Sequence, residues 1–226
     1  MSVGDLAREL PGGGRVLFTA RADGNVSSVR GDGAERGEEA RERLRERIGV
    51  RRLARARQVH GAVVARVADG DDRAGGGALG PADGQATALA RVGVMVLTAD
   101  CLPVALGSTR AVTMLHAGWR GLAAGVLEEG VRALRALGAD EEIVAVIGPG
   151  AGACCYEVGA DVHAALTGRR RRGPIDLRAI ARRRLLAAGV SEVRGVGACT
   201  ICDARFFSHR REGERAGRQA GVAWLS

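Results

Sequence analysis

The chain contains no lysine: all 34 of its basic Lys/Arg positions are arginine. That absence excludes a Walker-type phosphate loop and lysine Schiff-base chemistry. Aromatic residues are only 3% of the 226 positions against an apolar share of 46%, so the core must be packed with Ala, Val and Leu. No apolar run approaches the ~20 residues of a membrane span. Residues 1–5 lack the basic start of a secretory signal. A cytoplasmic protein with no membrane partner is therefore expected. No Pro- or Ser-rich linker and no internal period divides the sequence, so residues 1–226 are expected to form a single domain.

A formal charge of +8 invites a nucleic-acid reading. The arginines are spread along the chain, however, as in a GC-rich codon bias. In residues 38–47 they alternate with Glu, the pattern of a solvated helix face laced with ion pairs. Nucleic acid is not expected as a partner. The densest run, residues 169–172, either attracts phosphate or caps a surface turn. Five cysteines in a cytosolic chain argue against a disulfide framework. Cys154-Cys155 and Cys199-x-x-Cys202 can be read as four thiolates around a structural zinc. Adjacent cysteines do not chelate one ion as a C-x-x-C knuckle does, so most are expected to be small buried apolar side chains.

Apolar patterning predicts strands over residues 15–20, 55–60, 63–67, 92–98, 104–106, 111–115, 143–147, 193–196 and 222–225. Helical spacing predicts helices over 34–48, closed by Gly49, over 122–137, closed by Gly138, over 157–166, and over 177–188 with Asp176 as N-cap. Residues 69–80, rich in Gly and Asp, read as a surface loop. Several strands follow one another directly, and the near-continuous apolar runs suggest burial on both faces. A mixed sheet with helices on its outer faces fits better than a pure doubly wound fold.

Three side chains carry the strongest chemical signal. His116, in His116-Ala117-Gly118-Trp119-Arg120-Gly121, ends an apolar run and opens a helical pattern. His60, in Gln58-Val59-His60-Gly61, and Cys101, in Thr98-Ala99-Asp100-Cys101-Leu102-Pro103, stand at comparable junctions. One thiolate and two imidazoles form a three-ligand set with a fourth position open, the pattern of catalytic zinc. Gly61, Ala117 and Gly118 leave room for close approach. Asp100 either orients a histidine or takes a proton, or is simply a turn residue before Pro103. The turn Gly148-Pro149-Gly150-Ala151-Gly152 offers amides to an anion, and a plain strand-to-helix turn explains it equally. Residues 206–218 combine two of the three Phe with several Arg, suited to stacking and phosphate binding, or to anchoring a chain end.

Five runs, QVHG (58–61), TADCLPVAL (98–106), HAGWRG (116–121), CCYEVG (154–159) and FFSHRREGERAGR (206–218), resemble the YfiH family, in that family's order and over most of the chain. It is also called the laccase-domain or multicopper polyphenol oxidoreductase family. The resemblance implies an α/β fold, α+β mixed: one domain of layered mixed β-sheets flanked by helices. It places the family's metal ligands on His60, Cys101 and His116. It aligns the functional Arg of an FFS-x-x-R segment with Arg211, and the Arg of an FT-x-R motif with Arg21. After Arg21 the sequence departs from the family: Ala22-Asp23-Gly24-Asn25-Val26-Ser27-Ser28 replaces a glycine pair and an S-L-N-L-G stretch.

The function so implied is a zinc-dependent purine nucleoside phosphorylase. Adenosine, inosine and S-methyl-5'-thioadenosine react with phosphate to give free base and a ribose or methylthioribose 1-phosphate, with adenosine deamination as a side activity. Phosphate capture is expected of Arg211, with Arg21 and Arg218 as weaker candidates, and Asp100 serves as proton carrier. Copper in place of zinc, in a laccase-like polyphenol oxidase, ranks second, because the four histidines include no His-x-His pair. A Cys101–His116 hydrolase ranks third. A non-enzymatic zinc-binding protein would need a fourth protein ligand, His163 or Cys155. The oligomeric expectation is a monomer or small homo-oligomer.

Overall fold

Side-chain alternation explains the layering. In the strand Val92–Thr98, Val92, Val94 and Val96 enter one core cluster while Met95 enters another. In Gln219–Leu225, Ala223 and Leu225 enter the first cluster and Ala220, Val222 and Trp224 the second. In Leu102–Gly107, Ala105 joins the first cluster while Leu102, Val104 and Leu106 join a third. A strand has period two, so strands that feed two cores are apolar throughout.

The structure, a computed structural model, describes residues 6–70, 79–139 and 142–226. One six-stranded sheet runs in the order β1 (Ala7–Glu9), β2 (Gly14–Phe18), β14 (Gln219–Leu225), β7 (Val92–Thr98), β3 (Arg52–Arg57), β5 (Leu79–Pro81). The other runs β13 (Glu192–Gly195), β10 (Val144–Ile147), β8 (Leu102–Gly107), β9 (Val112–Ala117), β6 (Gly84–Thr87), β4 (Val64–Arg66). Both are mixed: β3 is parallel to β7 and β4 to β6, whereas β8 and β9 are antiparallel. A short hairpin pairs β11 (Glu157–Val158) with β12 (Gly173–Pro174).

The inner faces share Val16, Phe18, Val94 and Val96 from one sheet and Ala105, Val112, Met114 and Val146 from the other. Outside the first sheet, α1 (Gly37–Ile48) packs Ala40 and Leu44 on Leu17, Met95 and Trp224. Outside the second, α2 (Trp119–Ala124), α3 (Val126–Ala136) and α5 (Leu177–Ala187) bring Leu122, Leu127, Val131, Leu134, Ile180 and Leu185 onto Leu102, Leu106, Leu115 and Ile147. The result is four layers, helix–sheet–sheet–helix. Each fully buried Leu or Val contributes ~1.5–3 kcal/mol.

Several expectations are corrected. The single helix over 122–137 is two, because Gly125 takes a left-handed φ of 91° between α2 and α3. The helix over 157–166 starts only after Gly159, as α4 (Ala160–Thr167), since Glu157 and Val158 pair as a strand. The layered mixed sheets flanked by helices that the resemblance implies are found, as two six-stranded sheets, whereas the single mixed sheet read from patterning alone is corrected. Asp176 does cap α5, its carboxylate accepting from the Ala179 amide at 2.9 Å. Of the loop expected over 69–80, residues 71–78 lie outside the described residues, as do residues 1–5.

Candidate active site

Strand register assembles the site. Antiparallel pairing sets Leu102 of β8 opposite Ala117 of β9, and Pro103 opposite His116. Cys101, just before β8, is thereby brought to the end of β9. Pairing of β6 with β9 sets Gly84 opposite Leu115, so Asp83, one residue earlier, falls beside His116, whose amide donates to the Asp83 carbonyl at 2.7 Å. Asp83 also gathers the third element. Its carboxylate accepts from the amides of Val59 at 3.0 Å, His60 at 2.9 Å and Gly61 at 2.7 Å. The loop between β3 and β4 is so held with His60 at a positive φ of 60°. Asp100, before Cys101, also has positive φ, 88°. Among the described residues only one other non-glycine, Arg91, does so. Two of the three strained positions therefore border one site.

The ligand atoms of His60, Cys101 and His116 all lie within 4.8 Å of one another. The two imidazole rings meet edge-on, 4.8 Å between centroids. His116 Nδ1 faces Asp83 Oδ1 at 2.8 Å, which leaves Nε2 for Cys101. Burial alone would raise the Cys101 thiol. The charge and hydrogen bond of His116, with a hydrogen bond from His60, outweigh it and hold the thiol down at about 6. Burial likewise disfavours a charged His116, yet the Cys101 thiolate and the Asp83 carboxylate raise it to about 9. Space is tight: a Cβ on Gly118 would lie 2.8 Å from Cys101 Sγ and 3.3 Å from His60 Cδ2. His60 is exposed, so the triplet opens to solvent on that side.

Asp83 is the residue that sequence reasoning missed. Its orienting role was expected of Asp100, which instead accepts from Thr200 Oγ1 and from the Arg210 amide, both at 2.7 Å. Asp100 thus ties the segment after residue 199 to the site rather than aligning a histidine. The only available signal for Asp83 was an Asp-Gly pair next to a Gly-rich stretch, which reads as turn chemistry.

The expected phosphate residues separate sharply. Arg211 is committed to the carbonyls of Thr200, Ile201, Asp203 and Phe206 and to Glu212. These bonds clamp Arg211 to its own loop. Arg21 lies over the Phe207 ring at 4.4 Å and bonds Ala204, Phe206 and Glu212. Arg218 differs. Among the described residues only its Nη1 is engaged, by the carbonyls of Ala216 and Gly217, and burial, then the Arg30 charge, lowers its pKa against the opposing charges of Cys101, Glu214 and Asp100. Its amide is fixed by Asn25 Oδ1 at 2.9 Å, so the rewritten loop after Arg21 positions it. Arg120 stacks on Trp119 at 4.3 Å, and Arg210 on Tyr156 at 5.1 Å.

Other candidates lie elsewhere. His163 bonds Thr167 and Arg171, His209 bonds the Gly213 carbonyl, and Cys155 belongs to a separate cysteine group. Among the described residues the triplet thus gains no fourth protein ligand. The amides of Gly148, Gly150, Ala151 and Gly152 bond Pro103, Ala198, Asp100 and Cys199, so this turn is no anion cradle. A cavity of about 690 Å³ lined by Thr19, Asn25, Arg43 and Phe207 contains none of the triplet.

Residues 14–226 match the family model described as multi-copper polyphenol oxidoreductase laccase. The chain belongs to this family. Within it, the chain is 42% identical over 237 residues to a protein of Xylella fastidiosa named purine nucleoside phosphorylase, covering 96% of this chain and 90% of that one. A Pseudomonas aeruginosa protein of the same description is 38% identical, covering 83% and 80%. Among solved structures, the YfiH protein of Bacillus licheniformis superposes with a TM-score of 0.86 at 26% identity, covering 94% and 93%. YlmD of Geobacillus stearothermophilus gives 0.83 at 29% identity, covering 94% and 92%. The donor set of this laccase-family member does not fit the copper number in the family's description. Multi-copper centres need many imidazoles, and here only His60 and His116 meet. One thiolate with two imidazoles and an open side suits a single metal ion.

Proposed function

We propose that this chain is a cytoplasmic, single-domain, zinc-dependent purine nucleoside phosphorylase. It acts on adenosine, inosine and S-methyl-5'-thioadenosine with phosphate, releasing free base and a ribose or methylthioribose 1-phosphate, with adenosine deamination at the same centre. The observation that carries this reading is the triplet of His60, Cys101 and His116, whose ligand atoms lie within 4.8 Å of one another and whose His60 side is exposed. The names of the relatives support it independently.

Phosphorolysis needs a positioned phosphate, a developing sugar cation and a departing purine. Arg218 is assigned the phosphate: its Nη1 is held by the Ala216 and Gly217 carbonyls, which leaves Nε and Nη2 for the anion. The Arg120 and Arg210 side chains, held on the faces of Trp119 and Tyr156, add positive field. Tyr156 stays protonated and can donate to the substrate. Burial and the Cys101 and Asp100 charges raise its pKa against the opposing pull of Arg210 and Arg120. Val59 and Val63, both exposed and within three residues of His60 in sequence, are assigned to the purine face. Asp100, whose oxygens keep unused lone pairs, carries a proton in deamination. Zn²⁺ held by His60, Cys101 and His116 would supply Lewis acidity at the substrate.

Copper-dependent polyphenol oxidation is not favoured, because among the described residues His163 and His209 bond other groups and do not join the triplet. The test is phosphate-dependent release of adenine and hypoxanthine by zinc-loaded protein, alongside its metal content. Absence of base release from all three nucleosides would end the proposal.

A further inference from the structure

Four of the five cysteines lie outside the triplet, and the fold gathers them. The sulfurs of Cys154, Cys155, Cys199 and Cys202 lie within 4.8 Å of one another, and all four are free thiols. This corrects the expectation of small buried apolar side chains: Cys154 and Cys202 are exposed. In sequence the two pairs stand apart, and adjacent cysteines alone do not chelate one ion. Tertiary contacts join the pairs. The Gly150 amide donates to the Ala198 carbonyl, the Thr200 amide donates to the Gly150 carbonyl, and Arg178 bonds the carbonyls of both Gly150 and Ala198. The turn carrying Cys154 and Cys155 is thereby laid against the loop carrying Cys199 and Cys202.

The local geometry is that of a metal knuckle. Cys154 Sγ and Cys202 Sγ are 3.4 Å apart. Sulfurs at ~2.3 Å from a tetrahedral zinc ion are separated by ~3.8 Å, so only small shifts close the cage. The Gly152 amide donates to Cys199 Sγ at 3.2 Å, and the amides of Ile201 and Cys202 donate to the same sulfur. Amide donors of this kind stabilise a metal-bound thiolate. Charge is also met: a Cβ on Gly152 would lie 3.1 Å from Arg178 Nη1 and 3.2 Å from Cys199 Sγ, so a guanidinium stands beside the sulfurs. Four soft thiolate donors select zinc over magnesium, calcium or manganese.

We infer that Cys154, Cys155, Cys199 and Cys202 bind one Zn²⁺ as a closed structural site, separate from His60, Cys101 and His116. The ion staples two loops that build one wall of the active site. Thr200, inside the C-x-x-C loop, bonds Asp100 next to Cys101, and the Thr200 and Ile201 carbonyls hold Arg211. Tyr156 follows Cys155 directly and carries Arg210 on its face.

The experiment is a zinc count and X-ray absorption on protein purified under reductant with added Zn²⁺. The wild-type chain should hold two equivalents. Cys101→Ala should keep one, surrounded by four sulfurs at about 2.3 Å. The double variant C154S/C202S should also keep one, now with mixed nitrogen and sulfur ligands, and should melt at lower temperature. One equivalent in wild type that disappears in a folded Cys101→Ala protein overturns the inference. So does a Cys154–Cys202 disulfide found by peptide mapping of the reduced preparation. If either variant fails to fold, the wild-type count and its mean sulfur number still decide. None of these readouts involves nucleoside turnover, so the phosphorylase reading and the structural-zinc reading fail separately.

Discussion

Asp83 Oδ1 lies 2.8 Å from His116 Nδ1, and the same carboxylate accepts the amides of Val59, His60 and Gly61. One buried side chain therefore sets the tautomer of one candidate ligand and the backbone of another. A carboxylate–histidine–metal relay of this kind raises ligand basicity and fixes ring orientation.

Asp83→Asn keeps the shape but loses the charge and one acceptor. Metal affinity should fall about 10–100-fold, and stability by on the order of 1–3 kcal/mol as a buried amide loses its partner. Competition titration with a chromophoric chelator, and calorimetry, read the two effects. Unchanged affinity would refute the orienting role.

Gly118→Ala introduces a Cβ 2.8 Å from Cys101 Sγ at an ordinary extended backbone, φ −73°. The clash is purely spatial and costs about 1–3 kcal/mol. Metal occupancy and turnover should drop together, with secondary structure by circular dichroism retained. Full occupancy would show that Cys101 does not have to hold this position.

Metal affinity should depend on pH with two slopes. His116 in the metal-free protein is protonated below about 9, and that proton must leave before the nitrogen can bind an ion. Affinity therefore rises about tenfold per pH unit from pH 6 to 9, the slope of one displaced proton. Below about 6 the Cys101 thiolate is also protonated and the dependence steepens toward two protons. Isothermal titration in buffers of differing ionisation enthalpy counts these protons. A flat profile between 6 and 9 contradicts the pairing of Cys101 with His116.

Arg218→Ala and Arg211→Ala should fail in different ways. Loss of charge-assisted bonds worth ~1.5–3 kcal/mol should raise the phosphate KM of Arg218→Ala about 10–150-fold, leaving the nucleoside KM nearly unchanged. Arg211→Ala releases four backbone carbonyls and Glu212, so its melting temperature should fall first. Steady-state kinetics with phosphate varied, set beside thermal melts, separates the two. The opposite pattern would restore Arg211 as the phosphate residue.

That His60, Cys101 and His116 come together agrees with residue chemistry, because each ends or precedes an apolar run next to small residues, a purely local signal. The strand runs of β7, β8 and β9 were legible for the same reason, as was the Asp176 cap. The break at Gly125 is not legible in sequence, because apolar spacing does not reveal its left-handed φ of 91°. Asp83 was invisible because its role arises from β6 pairing with β9, across 33 residues of sequence. The availability of an arginine is also nonlocal: Arg211 and Arg218 look alike in sequence, and only their carbonyl neighbours distinguish them.

The amino-acid order by itself determined which atoms can do chemistry, through side-chain identity, and which segments are strand or helix, through apolar period. The tertiary structure alone decided which of those atoms share a site. Cys154 and Cys202 are 48 residues apart, and Asn25 and Arg218 are 193 apart. The physical reason is that proximity across such separations comes from strand register and sheet stacking, which are collective outcomes of burial that no local pattern encodes.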